Sequence, residues 1–253
     1  MPDERHNHQT MTNADERHGA ATRLWAEKWL STERLAPYLE ECGGNIDRAL
    51  ELYEWNASLG QLLMRDISHF EVALRNTYNN VMESCWDGEG HWLLDDASPA
   101  RRPVMRKSAK GMLDSNRINR KTIDAAAAGL PKGFSSGSLV AGLTLGFWVH
   151  LTDRSREAVI WRSDLYRAWP KGTNRTELQE RLYGILRVRN RVAHNERLFN
   201  PKRSELSPKK VDADAVELLG QLCPKAVDFL YGDSATPVND FLLEHPAPAD
   251  VKL

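Results

Sequence analysis

From Trp25 onward apolar residues recur at helical spacing, and the alternation of a half-buried strand is scarce. In the stretch LSTERLAPYLEECGGNIDRALELYEWN this spacing predicts a short helix, a turn at Gly43 and Gly44, and a second helix capped by Asn45. A long helix is predicted over residues 57–84, because Ile67, Phe70, Leu74, Tyr78 and Val81 fall on one stripe. The segment WDGEGHWLLDDASPARRP, rich in Gly, Asp and Pro, reads as a loop. A basic helix is expected near 100–127, then GLPKGFSSG as a connector, then helices near 137–150, 155–169, 174–198 and 211–231. The expected fold is therefore all-α: a multi-helix bundle of antiparallel helices with an N-terminal helical hairpin and flexible termini. Residues 1–20, polar and aperiodic, are the expected disordered tail; residues 21–232 form the helical domain; residues 233–253, rich in Pro, form a loosely held C-terminal tail.

Composition narrows the class. Hydrophobic content of 41% and charged content of 27% are ordinary for a soluble globular chain. The longest apolar run, LVAGLTLGFWVHL, is too short to span a bilayer and is interrupted by Gly142 and Gly146. The N-terminus lacks the apolar core of a secretory signal. Cys42, Cys85 and Cys223 are far apart and form neither a CxxC pair nor a metal-finger spacing, which suits a reducing cytoplasm. His6, His8 and His18 fall in the polar tail and read as solvated. No HExxH stretch is present, and neither a metal nor another cofactor is expected.

The net charge of −1 conceals a segregation. Residues 1–100 hold 8 Lys/Arg against 18 Asp/Glu, whereas residues 101–132 hold 9 against 2 and residues 154–210 hold 15 against 6. Residues 211–253 return to 2 against 8. A neutral total with a basic middle suits a cationic surface offered to a polyanion, or acidic and basic helices that neutralise each other inside the fold.

One stretch, RVRNRVAHNERLF at residues 187–199, concentrates candidate chemistry. The helix that holds it starts with Asn174 and Glu177 at capping-box spacing and is expected to be stopped by Pro201. Leu178, Leu182, Ile185 and Val192 form its apolar stripe, and Arg189 falls in the middle of that stripe. His194 lies about 140° away around the helix, with Asn190, Arg187 and Arg191 nearer to it on the polar side. Asn190 and His194 are i,i+4 neighbours, so the amide can hydrogen-bond the imidazole. An unpaired guanidinium among apolar neighbours is costly. Glu71, within 40° of the Ile67–Leu74–Tyr78 stripe, offers the opposite sign, and a Glu71–Arg189 pair is expected.

Arg189-Asn190-x-x-x-His194 resembles the RxxxxH motif of HEPN-superfamily ribonucleases, whose preferred form has Asn, Asp or His after the Arg. The stretches LELYEWN, FEVALRNTYN, LTLGFWVHL and RNRVAHNERLF, in that order, resemble the Abi-like (abortive infection) branch of that superfamily over roughly residues 24–200. The resemblance implies a HEPN-like helical bundle, usually dimeric, acting as a metal-independent RNA endonuclease in phage defence or as a toxin. It implies Arg189 and His194 as catalytic residues, with Asn190 as polar support. Arg187, with six residues between it and His194, fits looser versions of the pattern. Glu71, Arg75 and Asn76 match a family sequence block and are carried over as supporting residues. The resemblance leaves room for an antitoxin protein as a partner.

The chemistry wants these residue types. RNA supplies its own nucleophile, the 2′-OH, so cleavage needs a base for that proton, positive charge on the developing phosphorane, and an acid for the 5′-oxygen. Histidine serves either proton step and arginine presents a charged fork matched to phosphate oxygens. One motif supplies one imidazole, so a two-fold homodimer bringing two motifs together is expected. Arg187, Arg191, Arg101, Arg102, Arg106 and Lys107 are the candidates for RNA backbone contacts, against the alternative of a solvated basic face. Trp148, Trp161, Tyr166 and Trp169 could stack on bases but at this spacing belong more naturally to the core. A non-catalytic RNA- or protein-binding module on the same fold is the main rival. A DNA-binding regulator built on stretch 32–56 is disfavoured, because Glu33, Glu40, Glu41, Asp47, Glu51 and Glu54 make it acidic.

Overall fold

The computed structural model describes residues 13–109 and 111–253, with side chains from residue 18 onward. Among the described residues the helices are α1 (Asn13–Leu30), α2 (Thr32–Glu41), α3 (Ile46–Cys85), α4 (Arg117–Ala128), α5 (Ser136–Gly142), α6 (Leu145–His150), α7 (Arg175–Ala193), α8 (Pro208–Leu222), α9 (Pro224–Leu230) and α10 (Pro237–Glu244). One antiparallel hairpin, β1 (Met105–Ser108) with β2 (Gly111–Asp114), interrupts them. The architecture is all-α, as the hydrophobic spacing predicts.

Helix α3 is the mast of the molecule. Its 40 residues extend about 60 Å at 1.5 Å per residue. It starts at Asn45, whose Oδ1 accepts the N–H of Arg48 at 3.0 Å, and the two helices expected over 45–84 run on as one. Leu52, Leu59, Leu63, Ile67, Phe70, Leu74 and Tyr78 form its buried stripe. Helices α2, α6, α7, α8 and α10 pack around it.

Helix α7 carries the motif stretch. Asn174 accepts the N–H of Thr176 at 2.9 Å, and its side-chain amide donates to Glu177 Oε1 at 2.9 Å, a capping box closed through the Asn side chain. Leu178, Leu182, Ile185 and Val188 are buried, and Val192 is half-buried. Gly60 of α3 is the point of close approach: a Cβ there would stand 3.4 Å from Val192 Cγ1. Asn56, one turn earlier, bonds Glu196 and Leu198, so the two helices run antiparallel.

Four expectations are corrected. The basic segment near 100–127 is a projecting hairpin followed by α4, whose first residue is Arg117. Asp114 closes that hairpin by accepting the N–H groups of Val104 (2.9 Å) and Asn116 (3.0 Å) and pairing with Arg120. Residues 154–168 wind as two 3-10 turns around a short π-helical turn, with Arg156 drawn into the core. The expected 211–231 helix breaks at Cys223, because Pro224 lacks an N–H and forces its predecessor into extended backbone (φ −152°, ψ 80°). The C-terminal segment is docked: Trp55 Nε1 donates to His245 O (2.8 Å), Arg48 to Pro248 O (2.6 Å), and Lys252 N–H to Asn200 Oδ1 (2.7 Å). At the other end the first helix described is α1, from Asn13; His6 and His8 lie outside the described residues.

Candidate functional site

Helix α7 ends at Ala193, earlier than Pro201 would impose. The stop is a left-handed turn. Asn195 sits at φ 52°, its N–H donates to Val192 O (2.9 Å), and the Glu196 N–H reaches back to Arg191 O (2.8 Å). These two bonds make a Schellman motif with Asn in the place glycine usually takes. Arg34 of α2 donates to the carbonyls of His194 (3.2 Å) and Asn195 (2.6 Å), a cation on the negative end of the helix dipole. The chain leaving the turn is pinned by buried Asn56, whose Oδ1 accepts the Leu198 N–H at 2.7 Å, and by Phe199, edge-on to Tyr38.

His194 is thereby held on the surface at the helix end. Its backbone N–H bonds Asn190 O at 3.0 Å, but its ring makes no hydrogen bond among the described residues, and the expected Asn190–His194 side-chain contact does not form. Asn190 and Arg187 are exposed on the same side of α7. Next to the turn opens a cavity of about 430 Å³ lined by Ser31, Glu33, Arg34, Pro37, Tyr38, Arg191, Asn195, Glu196 and Arg197. Arg191 donates to Arg197 O and pairs with Glu196 (3.5 Å); burial and then the charge of Arg197 lower its pKa. Burial pushes the Tyr38 phenol up to about 12. Arg197 lies over the Phe199 ring at 5.8 Å and has no carboxylate partner.

Arg189 occupies the flank of the apolar stripe, half-buried. Its Nε is shut off from water and meets no acceptor among the described residues. The expected Glu71–Arg189 pair does not form: no carboxylate lies within 4.0 Å of the guanidinium among the described residues. The antiparallel register explains this. With Gly60 opposite Val192, Arg189 faces the level of residue 63, and Glu71 lies roughly 12 Å farther along α3. Arg75 reaches Ala141 O of α5 (3.5 Å), and Asn76 is exposed on α3. These three residues stand apart from the α7 terminus within one protomer.

The other candidates separate by their partners. Arg101 is engaged with Asp96 (2.8 Å) and Asp124 (2.9 Å) and serves the fold, whereas Arg102, Arg106 and Lys107 are exposed without ion pairs among the described residues. Trp148, Trp161 and Trp169 are core residues, and Tyr166 is exposed. One group escaped the sequence reading altogether: His150, Asp153 and Tyr183, joined by hydrogen bonds across α6 and α7. Its only sequence signal is His150 and Asp153 at i,i+3, too common a spacing to single out.

The profile of a family described as Abi-like protein matches residues 29–200, about two thirds of the chain and the whole of the region just described up to Asn200. This chain belongs to the Abi-like protein family. No curated protein and no solved structure gives a significant match. Membership points the Abi-like protein toward an abortive-infection type of function. None of its helices is long and apolar enough to cross a membrane among the described residues, and no group of three or more His, Cys, Asp or Glu there could hold a metal ion.

Proposed function

We propose that this Abi-like protein is a HEPN-type, metal-independent RNA endonuclease of bacterial phage defence or a toxin, with Arg189 and His194 from two protomers forming one composite site. The observation that carries the reading is the state of those two residues. His194 stands exposed with an imidazole that bonds nothing among the described residues, next in sequence to the lining of a cavity that holds Arg34, Arg191 and Arg197, and half-buried Arg189 has no carboxylate partner among the described residues. Such a charge calls for an anion from outside the protomer. In the reaction one His194 removes the 2′-OH proton, and the 2′-oxygen attacks phosphorus. The Arg189 guanidinium neutralises the developing phosphorane, and the second His194 protonates the departing 5′-oxygen. The products are a 2′,3′-cyclic phosphate and a 5′-OH. Asn190 flanks the imidazole, and Arg191, Arg197 and Arg187 supply positive potential for the backbone.

The rival, a non-catalytic RNA- or protein-binding module, draws support from the offset of about 140° between Arg189 and His194 on one helix. Expression of wild type and His194→Ala in cells separates the two. Growth arrest with RNA fragments ending in cyclic phosphate is expected from wild type alone, with both proteins equally folded. Intact RNA from both would leave the binding module as the function.

A further inference from the structure

About 16 Å from His194 along α7, eleven residues toward its start, Tyr183 faces a second imidazole. His150, the last residue of α6, places Nδ1 2.7 Å from Tyr183 Oη and 3.4 Å from Asp153 Oδ2. Tyr183 gives its own proton to Asp153 Oδ1 (2.8 Å). Asp153 accepts further from Gln179 (3.0 Å) and Arg156 (3.0 Å), so all its hydrogen-bond neighbours are donors. Arg156 is buried and uses every guanidinium nitrogen, on Asn116, Asn119, Ser115 O, His150 O and Asp153. This frame fixes the tautomer. The phenol oxygen and the carboxylate both face Nδ1 as acceptors, so in the neutral imidazole the proton belongs there and Nε2 carries the lone pair. Nε2 bonds nothing among the described residues, and the His150 side chain is 36% exposed.

His150 opens on a groove of about 490 Å³ between the hairpin, the first turn of α4 and the end of α6. Arg106, Arg117 and Lys121 line it, exposed and without ion pairs among the described residues, while the carboxylates on its wall are already matched, Asp114 by Arg120 and Asp153 by Arg156. Leu113 and Ile118 complete the wall at 38% and 59% exposure, an apolar rim beside the cations. Unmatched cations call for phosphate, an apolar rim for a sugar or base face, and a fixed ring acceptor for a hydroxyl donor. A phosphate oxygen cannot donate to Nε2; a ribose 2′-OH can.

We infer that this groove is a ribose-selective subsite for single-stranded RNA: Arg106, Arg117 and Lys121 hold backbone phosphates while His150 Nε2 accepts from a 2′-OH. The choice of RNA as ligand rests on the proposed nuclease reading; the ribose selectivity rests on the tautomer. Arg187 and Asn190 lie on the exposed side of α7 between the groove and His194, so a strand of several nucleotides reaches both.

Binding is measured by fluorescence anisotropy with a labelled single-stranded RNA and the DNA of identical sequence, all proteins carrying His194→Ala so that cleavage plays no part. The parent should prefer RNA by about fivefold, the worth of one such hydrogen bond. His150→Phe keeps the ring packed on Tyr183, removes the acceptor, and should abolish the preference. Arg117→Gln with Lys121→Gln, both on the surface, should weaken RNA and DNA alike and flatten the log-affinity against log-salt slope by about 1.4. A preference that survives His150→Phe in a folded protein overturns the subsite, as does an unchanged salt slope in the double variant or an absence of RNA binding. Cleavage by protein with an intact His194, assayed separately, judges the nuclease reading, so the two can fail independently.

Discussion

Asp66 of α3 and Asp212 of α8 are buried close enough for the charge of one to act on the other, and each keeps one carboxylate oxygen without any other partner among the described residues. Tyr231 donates to Asp66 (2.8 Å) and Thr236 to Asp212 (2.5 Å), while Arg65 pairs with Asp66 from the rim (2.6 Å). Burial, and then the charge and hydrogen bond of Asp66, push Asp212 up to about 7 from an ordinary value of 3.8. The folded value lies above the unfolded one, so the fold binds this proton more tightly than the open chain does. Stability from this group is whole below pH 4 and is lost as pH rises toward 7. Denaturant titrations between pH 5 and 8 should show that decline, of the order of a few kcal/mol. Asp212→Asn, which keeps the shape and can donate to Asp66, should flatten the profile and raise Tm at pH 8 by several degrees. A variant whose profile parallels wild type would rule out the pair as its source.

Arg156 makes a second prediction, opposite in sign. Its guanidinium is buried and ties the end of α6 to the start of α4. Arg156→Ala strips donors from buried acceptors and leaves Asp153 without its cation, at a cost of about 3–5 kcal/mol. Arg154→Ala, two residues away on the exposed side, should stay within about 0.5 kcal/mol of wild type. Urea denaturation of the two variants checks the contrast, and equal losses would remove Arg156 as a staple.

Where the chain obeys short-range rules it is readable, and the misreadings have physical causes. The stripes Ile67–Phe70–Leu74–Tyr78 and Leu178–Leu182–Ile185 are buried as their spacing requires, and Asn45 and Asn174 cap the helices they precede. The hairpin at 105–114 was illegible because it projects from the body; its residues are exposed on both faces, so no alternation marks it. Arg156 could not be told from its basic neighbours, since its burial depends on Asn116 and Asn119 some forty residues away. The Glu71–Arg189 pairing failed on helix register, which hydrophobic periodicity leaves undetermined: each stripe says which face is buried but not how far one helix slides along the other. Arg189 and His194 were legible as residues, whereas the turn that exposes His194 is set by Arg34 and Asn56, remote in sequence.

That turn makes the third prediction. Asn195 holds a positive φ of 52°, which asparagine and glycine tolerate and β-branched residues do not. Asn195→Gly should leave stability within about 0.5 kcal/mol of wild type, while Asn195→Val should lose about 1–2 kcal/mol. Because His194 is the residue before the turn, the Val variant should also lose RNA cleavage at temperatures where it remains folded by circular dichroism. Full cleavage by Asn195→Val would mean that the turn does not position the imidazole.

The final prediction concerns concentration. Under the proposed mechanism cleavage needs two proton transfers and one neutralised phosphorane, and each motif contributes one imidazole. Within a protomer Arg189 and His194 diverge by about 140° around α7, so one copy does not direct both at the same phosphate. A second copy related by a two-fold axis supplies the missing groups, and activity then belongs to the dimer alone. Specific activity on a labelled RNA should fall on dilution, with the same midpoint as dimer dissociation followed by sedimentation velocity. Variants in the surface groove, such as Arg117→Gln, should shift RNA affinity without moving that midpoint. A protein that sediments as a monomer and cuts RNA at constant specific activity over the same range would require both proton transfers to be served within one chain, and the composite site would have to be abandoned.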